Sequence, residues 1–144
     1  MVDPLGTRNS GQIVNIGSIF ASINFAHFAS YSSSKSGLKS LSESLRRELS
    51  DYQISITYIA PRAVKTPLNS GKVLELANKT NMNMDLPELV VEKIINSIAE
   101  DKKDVYIGFP ESFFVRVNAL FPRIVDVALA KNDRIARSII KSTN

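Results

Sequence analysis

The stretch that decides the fold is IVNIGSIFASINFAHFASYSSSK, residues 13–35. It begins with a short apolar run rich in β-branched residues, which predicts a buried parallel strand. Gly17 and Ser18 end that run, and an apolar loop then leads to a helix that carries Tyr31 and Lys35. Since open α/β sheets place ligands beyond the carboxyl ends of their strands, this order predicts a site at Ser18.

The rest of the chain continues the alternation of strands and helices. Leucines at three- and four-residue steps predict a long helix, and a proline in an acidic first turn marks the start of another. The predicted strands cover residues 13–16, 54–60 and 105–107, and the predicted helices cover residues 29–50, 73–78, 85–100 and 111–141, the last broken near Pro122. This order predicts an α/β fold with three parallel strands joined by right-handed crossover helices. We expect a body of residues 1–110 and a helical C-terminal extension of residues 111–144.

Composition narrows the class of protein. The 144 residues include no cysteine and one histidine, His27, which argues against a disulfide framework and against a metal site. The formal charge of +4 is mild, so we expect no nucleic acid partner. No apolar leader is present, and no apolar run reaches the ~18 to 20 residues of a spanning helix, so the expected location is the cytoplasm. For His27, packing is the favoured interpretation and substrate contact the alternative.

Tyr31 and Lys35 are the candidate catalytic pair. Residues four apart on a helix share a face, so an ammonium group would lie beside a phenol. A neighbouring cation favours an ionised phenol, which would let Tyr31 exchange a proton with a substrate oxygen. The hydroxyl of Ser18 could reach the same oxygen from the end of the strand. A partly buried tyrosine with an extended lysine is the alternative interpretation.

These residues resemble the core of the short-chain dehydrogenase/reductase family. The resemblance rests on IVNIGS ending at Ser18, on YSSSK starting at Tyr31, and on PRAVKTPL starting at Pro61. It implies a Rossmann-type fold that uses NADP or NAD on a small carbonyl or alcohol substrate. The resemblance also implies individual roles: Tyr31 as acid and base, Lys35 as its cationic partner and a ribose ligand, Ser18 on the substrate carbonyl, and Pro61, Val64 and Thr66 at the cofactor.

Two departures from the family pattern stand out. Arg62 occupies a position where the family usually has glycine, and its side chain could point at cofactor phosphates or at solvent. No glycine-rich turn or Asn-Asn-Ala-Gly segment precedes the serine strand. The sequence therefore predicts the C-terminal half of the fold, with an apolar edge on its first strand that invites pairing with another chain. A truncated, non-catalytic module for assembly or interaction is the alternative function.

Apolar residues surround the predicted site. Those of the loop after the first strand predict a hydrophobic substrate; they are Ile19, Phe20, Ile23, Phe25 and Phe28. Residues 111–131 combine aromatic and basic side chains. They predict either a helix that closes the pocket or packs on a sister subunit, or an amphipathic helix on a membrane surface. Small residues along the first helix, which would let a second copy approach in a homo-oligomer, are Ser33, Ser36, Gly37, Ser40 and Ser44.

Overall fold

A parallel sheet of three strands forms the centre of the computed structural model, which describes residues 10–67, 69 and 71–141. The strands are β1 (Ser10–Ile16), β2 (Gln53–Pro61) and β3 (Asp104–Ile107), and they lie in that order. The register places Ile16 opposite Ile59, while the last four residues of β2 pair with β3. The predicted α/β fold with a three-stranded parallel sheet is confirmed.

Five helices occupy the described part of the chain. They are α1 (Ala29–Glu48), α2 (Lys72–Lys79), α3 (Pro87–Ala99), α4 (Glu111–Leu120) and α5 (Pro122–Lys141). Each predicted helix is present, with its ends moved by a residue or two. Pro122 starts α5, as expected for a residue that lacks a backbone N–H. A single 3-10 turn at Ile19–Ala21 was not predicted.

The helices cover both faces of the sheet. The side chain of Asn15 in β1 donates a hydrogen bond to Ser42 of α1 at 2.9 Å, whereas Val14 packs against the cluster that holds Val90 of α3. Successive residues of a strand point to opposite faces, so α1 and α3 lie on opposite faces. The connections β1–α1–β2 and β2–α3–β3 both lead in the same direction across the sheet, but they pass over opposite faces. One crossover is therefore right-handed and the other is left-handed. The expectation of two right-handed crossovers is wrong for one of them, because the long connection of residues 62–86 reaches the other face.

A second core cluster lies beside the loop that follows β1. Ile19 and Ile23 from that loop pack with Val115 of α4 and Val125 of α5. The amide of Asn118 in α4 also donates to the carbonyl of Ser22 at 2.8 Å. The C-terminal helices therefore share a core with the loop before α1, and the division at residue 110 stays a prediction.

Candidate active site

The turn after β1 is built over a buried tyrosine. The N–H of Gly17 donates to the carbonyl of Ile59 at 2.7 Å, which holds the ends of β1 and β2 side by side. Tyr58 is fully buried, and a Cβ atom at Gly17 would lie 2.3 Å from its ring. Only glycine therefore fits here. The Tyr58 hydroxyl donates to the carbonyl of Ser18 at 3.4 Å, and burial raises the pKa of Tyr58 to about 12, so this donor keeps its proton at neutral pH.

The side chain of Ser18 caps the turn that follows it. Its Oγ accepts a hydrogen bond from the N–H of Phe20 at 3.1 Å, and the residue is 8% exposed. A hydroxyl has one donor and two acceptor positions. The cap occupies an acceptor position, so the hydroxyl proton stays available for an oxygen placed beside the end of β1.

Tyr31 and Lys35 lie together near the start of α1, close to the same strand end. The Nζ of Lys35 is 5.9 Å from the centre of the Tyr31 ring. The same Nζ donates to the carbonyl of Ile16 at 3.2 Å, two residues before Ser18. Lys35 thus connects the tyrosine to the strand that carries the serine. Tyr31 itself is 45% exposed, so its hydroxyl is open to a ligand.

An aromatic cluster brings the loop against Tyr31. The ring of Phe20 meets Tyr31 edge to face with 6.0 Å between centres. Phe20 also stacks on Phe25 at 4.6 Å and meets Phe28 edge to face at 5.2 Å. Because Phe20 takes part in the turn capped by Ser18, these contacts hold the serine loop beside the tyrosine. The structure therefore brings Ser18, Tyr31 and Lys35 to one region at the end of β1.

The residues predicted at the cofactor follow β2 at the same end of the sheet. Pro61 is the last residue of β2 and pairs with Ile107. Val64 forms a bridge to Asp85, in which Lys65 donates to the carbonyl of Asp85 and the N–H of Asp85 donates to Ala63. Backbone groups alternate in direction along an extended chain, so the N–H of Val64 points away from Asp85. The carbonyl of Thr66 accepts a hydrogen bond from Asn69.

Arg62 points neither at a phosphate site nor at solvent, so both expectations for it are wrong. Its guanidinium binds both carboxylate oxygens of Asp85, at 3.0 and 2.6 Å, and one oxygen of Glu111 at 2.8 Å. The side chain is 16% exposed, and its hydrogen bonds to Asp85 raise the pKa of Arg62. Gly108, at φ +106°, leaves room for it, since a Cβ there would lie 2.4 Å from the arginine side chain. Arg62 is a structural clamp between the β2–α3 connection and α4.

A largely apolar cavity of about 290 Å³ opens next to the aromatic cluster. The loop after β1 forms one wall, and residues of α2, α4 and α5 form the others. Its lining includes Phe20, Phe25, Leu76, Met82, Phe114 and Leu129. Phe20 lines the cavity and also meets the ring of Tyr31, which itself is not part of the lining. The expected packing of His27 is wrong: its side chain is exposed, and its φ of +71° turns the loop there.

The residues at the strand ends fit the nicotinamide end of a dinucleotide. Lys35 uses one of its three donor positions on Ile16, and the other two could donate to hydroxyl groups of a ribose. The N–H of Val64 faces away from its bridge partner and can meet a carboxamide. A pyrophosphate would need a glycine-rich turn before a helix, and no strand-to-helix turn within the described residues holds two glycines.

The fold of this chain resembles that of solved short chain dehydrogenases. A short chain dehydrogenase from Burkholderia cenocepacia, determined in complex with NADP, superposes with a TM-score of 0.68. The two chains are 20% identical, and the match covers 84% of this chain and 48% of the other. At that identity the likeness concerns the fold, which is that of a Rossmann-type α/β protein.

The family follows from the sequence comparisons. The family model described as short chain dehydrogenase matches residues 1–76. The uncharacterized oxidoreductase YxnA of Bacillus subtilis is 32% identical over 126 residues, which cover 84% of this chain and 35% of YxnA. The 3beta-hydroxysteroid dehydrogenase 1 of Eggerthella lenta is 38% identical over 68 residues, 47% of this chain and 26% of that enzyme. The chain belongs to the short chain dehydrogenase family of oxidoreductases, and it spans about a third of YxnA.

Proposed function

We propose that this chain carries the catalytic residues of an NAD(P)-dependent oxidoreductase that interconverts a carbonyl and a secondary alcohol. The observation that carries the proposal is the placement of Lys35, whose Nζ lies 5.9 Å from the Tyr31 ring and 3.2 Å from the Ile16 carbonyl. A charged donor there links the phenol to the end of the strand that presents Ser18. The three side chains match the family pattern in order and in spacing.

The proposed reaction uses one oxygen atom of the substrate. Ser18 donates its hydroxyl proton to that oxygen in a hydrogen bond, while the N–H of Phe20 holds its Oγ in place. A bound nicotinamide dinucleotide supplies the hydride to the carbonyl carbon. Tyr31 transfers its phenolic proton to the oxygen, which completes the alcohol. The ammonium of Lys35 stabilises the negative charge that then develops on Tyr31.

We further propose that the substrate is apolar, with its reacting oxygen at Tyr31 and its hydrocarbon group extending past Phe20 into the cavity. Most of the lining residues are apolar, so burial of a hydrocarbon group in the cavity would be favourable. The name of the Eggerthella relative gives a steroid as the substrate class of that enzyme, which is consistent with an apolar ligand.

Turnover with two forms of cofactor tests the proposal. The measurement is ketone-dependent oxidation of NADPH, and of reduced nicotinamide mononucleotide, which lacks the adenosine half. We expect both to be used with similar kcat/KM, because the residues that fit a dinucleotide would contact only its nicotinamide end. Tyr31→Phe should lower the rate by about a hundredfold or more, in the range of general acid–base catalysis.

The matched control for this test is Tyr52→Phe, which removes the hydroxyl of a tyrosine that is 53% exposed. It should leave the rate unchanged. Equal rates for wild type and Tyr31→Phe would refute the catalytic assignment. No turnover by any form at millimolar cofactor would favour the alternative, a non-catalytic interaction module.

We also propose that the chain forms a homo-oligomer through α1. The exposed side of this helix carries small residues, and a Cβ added at Gly37 would meet no atom within 4 Å. Small side chains allow two helices to approach closely. Sedimentation velocity should show a dimer that Ser40→Arg converts to a monomer, and a monomeric wild type would overturn the proposal.

A further inference from the structure

The corner between α4 and α5 exposes a group of large apolar side chains. Leu120 is 73% exposed, Ile124 is 61% exposed and Val127 is 79% exposed. Phe121 lies between the two helices and is 59% exposed. Residues this exposed contribute little to the core, so the fold does not explain their apolar character. We call Leu120, Phe121, Ile124 and Val127 the apolar corner.

The inner sides of α4 and α5 behind the apolar corner are packed in the core. Val115 of α4 and Val125 of α5 are buried in one cluster with Ile19 and Ile23. Val127 lies two positions from Val125 and therefore on the far side of α5. Leu120 is the last residue of α4, and its exposure places its side chain on the surface as well. The four residues lie close together at the junction of the two helices, because α4 ends at Leu120, α5 starts at Pro122, and the N–H of Ile124 donates to the carbonyl of Phe121 at 3.1 Å.

Two arginines flank the apolar corner. Arg116 and Arg123 are exposed and lie on the outward faces of α4 and α5. From Arg116 onward the sequence has six basic residues against two acidic ones, which equals the whole formal excess of +4. Arg123 contacts Asp126 at 3.3 Å, but both side chains are more than half exposed, so the pair is weak. The side chain of Arg116 has no hydrogen bond or ion pair with any described residue.

We propose that the apolar corner docks on the surface of an anionic lipid bilayer. Its four apolar side chains enter the boundary between headgroups and acyl chains, and Arg116 and Arg123 meet lipid phosphates and carboxylates. A second copy of the chain fits this surface poorly, because a twofold interface would bring the same cations face to face. None of the helices within the described residues has the length and hydrophobicity needed to cross a bilayer, so the contact is peripheral.

Vesicle co-sedimentation tests this proposal without reference to catalysis. The full chain is mixed with vesicles of phosphatidylcholine alone and of phosphatidylcholine with phosphatidylserine. We expect binding to the anionic vesicles that falls by about a hundredfold in Leu120→Ser/Phe121→Ser, roughly tenfold for each apolar side chain. The matched control is Leu89→Ser/Ile95→Ser, which removes two apolar residues of 52% and 59% exposure from α3 and should bind as wild type does.

Charge variants test the second half of the proposal. Arg116→Gln/Arg123→Gln should weaken binding to the anionic vesicles by about fivefold for each cation, whereas Arg47→Gln on α1 should have no effect. Circular dichroism confirms that each variant is folded. Equal vesicle binding by wild type and Leu120→Ser/Phe121→Ser overturns the proposal. So does a wild type that fails to bind vesicles but self-associates through these residues in sedimentation velocity.

Discussion

Gly17 is required for the packing of the turn after β1, because the Tyr58 ring occupies the space where a side chain would lie. Gly17→Ala should lower the free energy of unfolding by about 1–3 kcal/mol, the usual cost of overpacking a core. Gly37→Ala is the control: its Cβ meets no atom within 4 Å, and it should raise the free energy of unfolding by about 0.5–1 kcal/mol. Urea unfolding measures both, and a neutral Gly17→Ala would contradict this packing.

Tyr58 should make stability depend on alkaline pH. Its pKa is 10.0 when unperturbed and about 12 in the folded chain, because burial disfavours the phenolate. Between these values the unfolded chain has released the proton and the folded chain has kept it. The stabilisation is therefore complete below pH 10 and is lost as the pH rises toward 12.

The comparison of two phenylalanine variants isolates this effect. The free energy of unfolding should fall less steeply across the window in Tyr58→Phe than in wild type. Tyr52→Phe, at an exposed position, is the matched control for the loss of a tyrosine hydroxyl. The same slope in wild type and Tyr58→Phe would show that Tyr58 titrates normally in the folded chain.

Residues of the site whose neighbours are close in sequence could be predicted, whereas residues whose partners are distant in sequence could not. The proximity of Ser18, Tyr31 and Lys35 at the end of β1 could be expected from their spacing along the chain, whereas their catalytic role stays a prediction. Tyr58 and the clamp of Arg62 were not predictable, because their partners lie far away in sequence. Tyr58 meets Ser18 forty residues away, and Arg62 meets Glu111 at a separation of 49. Gly17 was visible as a turn, but the ring that requires it was not.

Arg62 links secondary-structure elements that are far apart in the sequence. It connects the end of β2 to Asp85, which precedes α3, and to Glu111, the first residue of α4. Removing the cation leaves two poorly exposed carboxylates without a charged partner, and of the two only Glu111 keeps a hydrogen bond to the side chain of a described residue, from Asn83. Arg62→Met should therefore lower the free energy of unfolding by about 3 kcal/mol.

The control for the clamp is Arg47→Met. Arg47 lies 4.0 Å from Glu43 with 78% of its side chain exposed, so its loss should cost less than about 1 kcal/mol. Hydrogen exchange should also speed up at the amide of Lys65 in Arg62→Met, because that amide donates to Asp85. Equal destabilisation by the two variants would mean that Arg62 is not a clamp.

Elements were more predictable than their arrangement. Apolar periodicity located α1 and α3, since both repeat the spacing of a helix that buries one face. The short α2 was expected in a stretch with little periodicity, and the break between α4 and α5 was expected from Pro122. The face of the sheet that a helix covers depends on packing with distant strands, as for Val14 with the α3 cluster. The hand of the second crossover therefore could not be read from periodicity.

The number of partners of each strand should determine how strongly its amides are protected from hydrogen exchange. β2 is paired on both sides, and Tyr58, Ile59 and Ala60 are fully buried. Among the described strands, β1 has a partner on one side only. Amide hydrogen exchange should therefore be slowest in β2. Protection of β1 that matches β2 in dilute solution would contradict this order, and protection that grows with concentration would indicate pairing between copies.

The central claim is that Ser18 and Tyr31 act on one substrate oxygen, and a double-mutant cycle tests it most directly. Single-turnover rates of ketone reduction are measured for wild type, Ser18→Ala, Tyr31→Phe and the double variant. Groups that act as a unit are strongly non-additive, so the double variant should be no more than about tenfold slower than Tyr31→Phe. Rate losses that multiply across the cycle would mean that the two hydroxyls act at separate places, which would contradict the account.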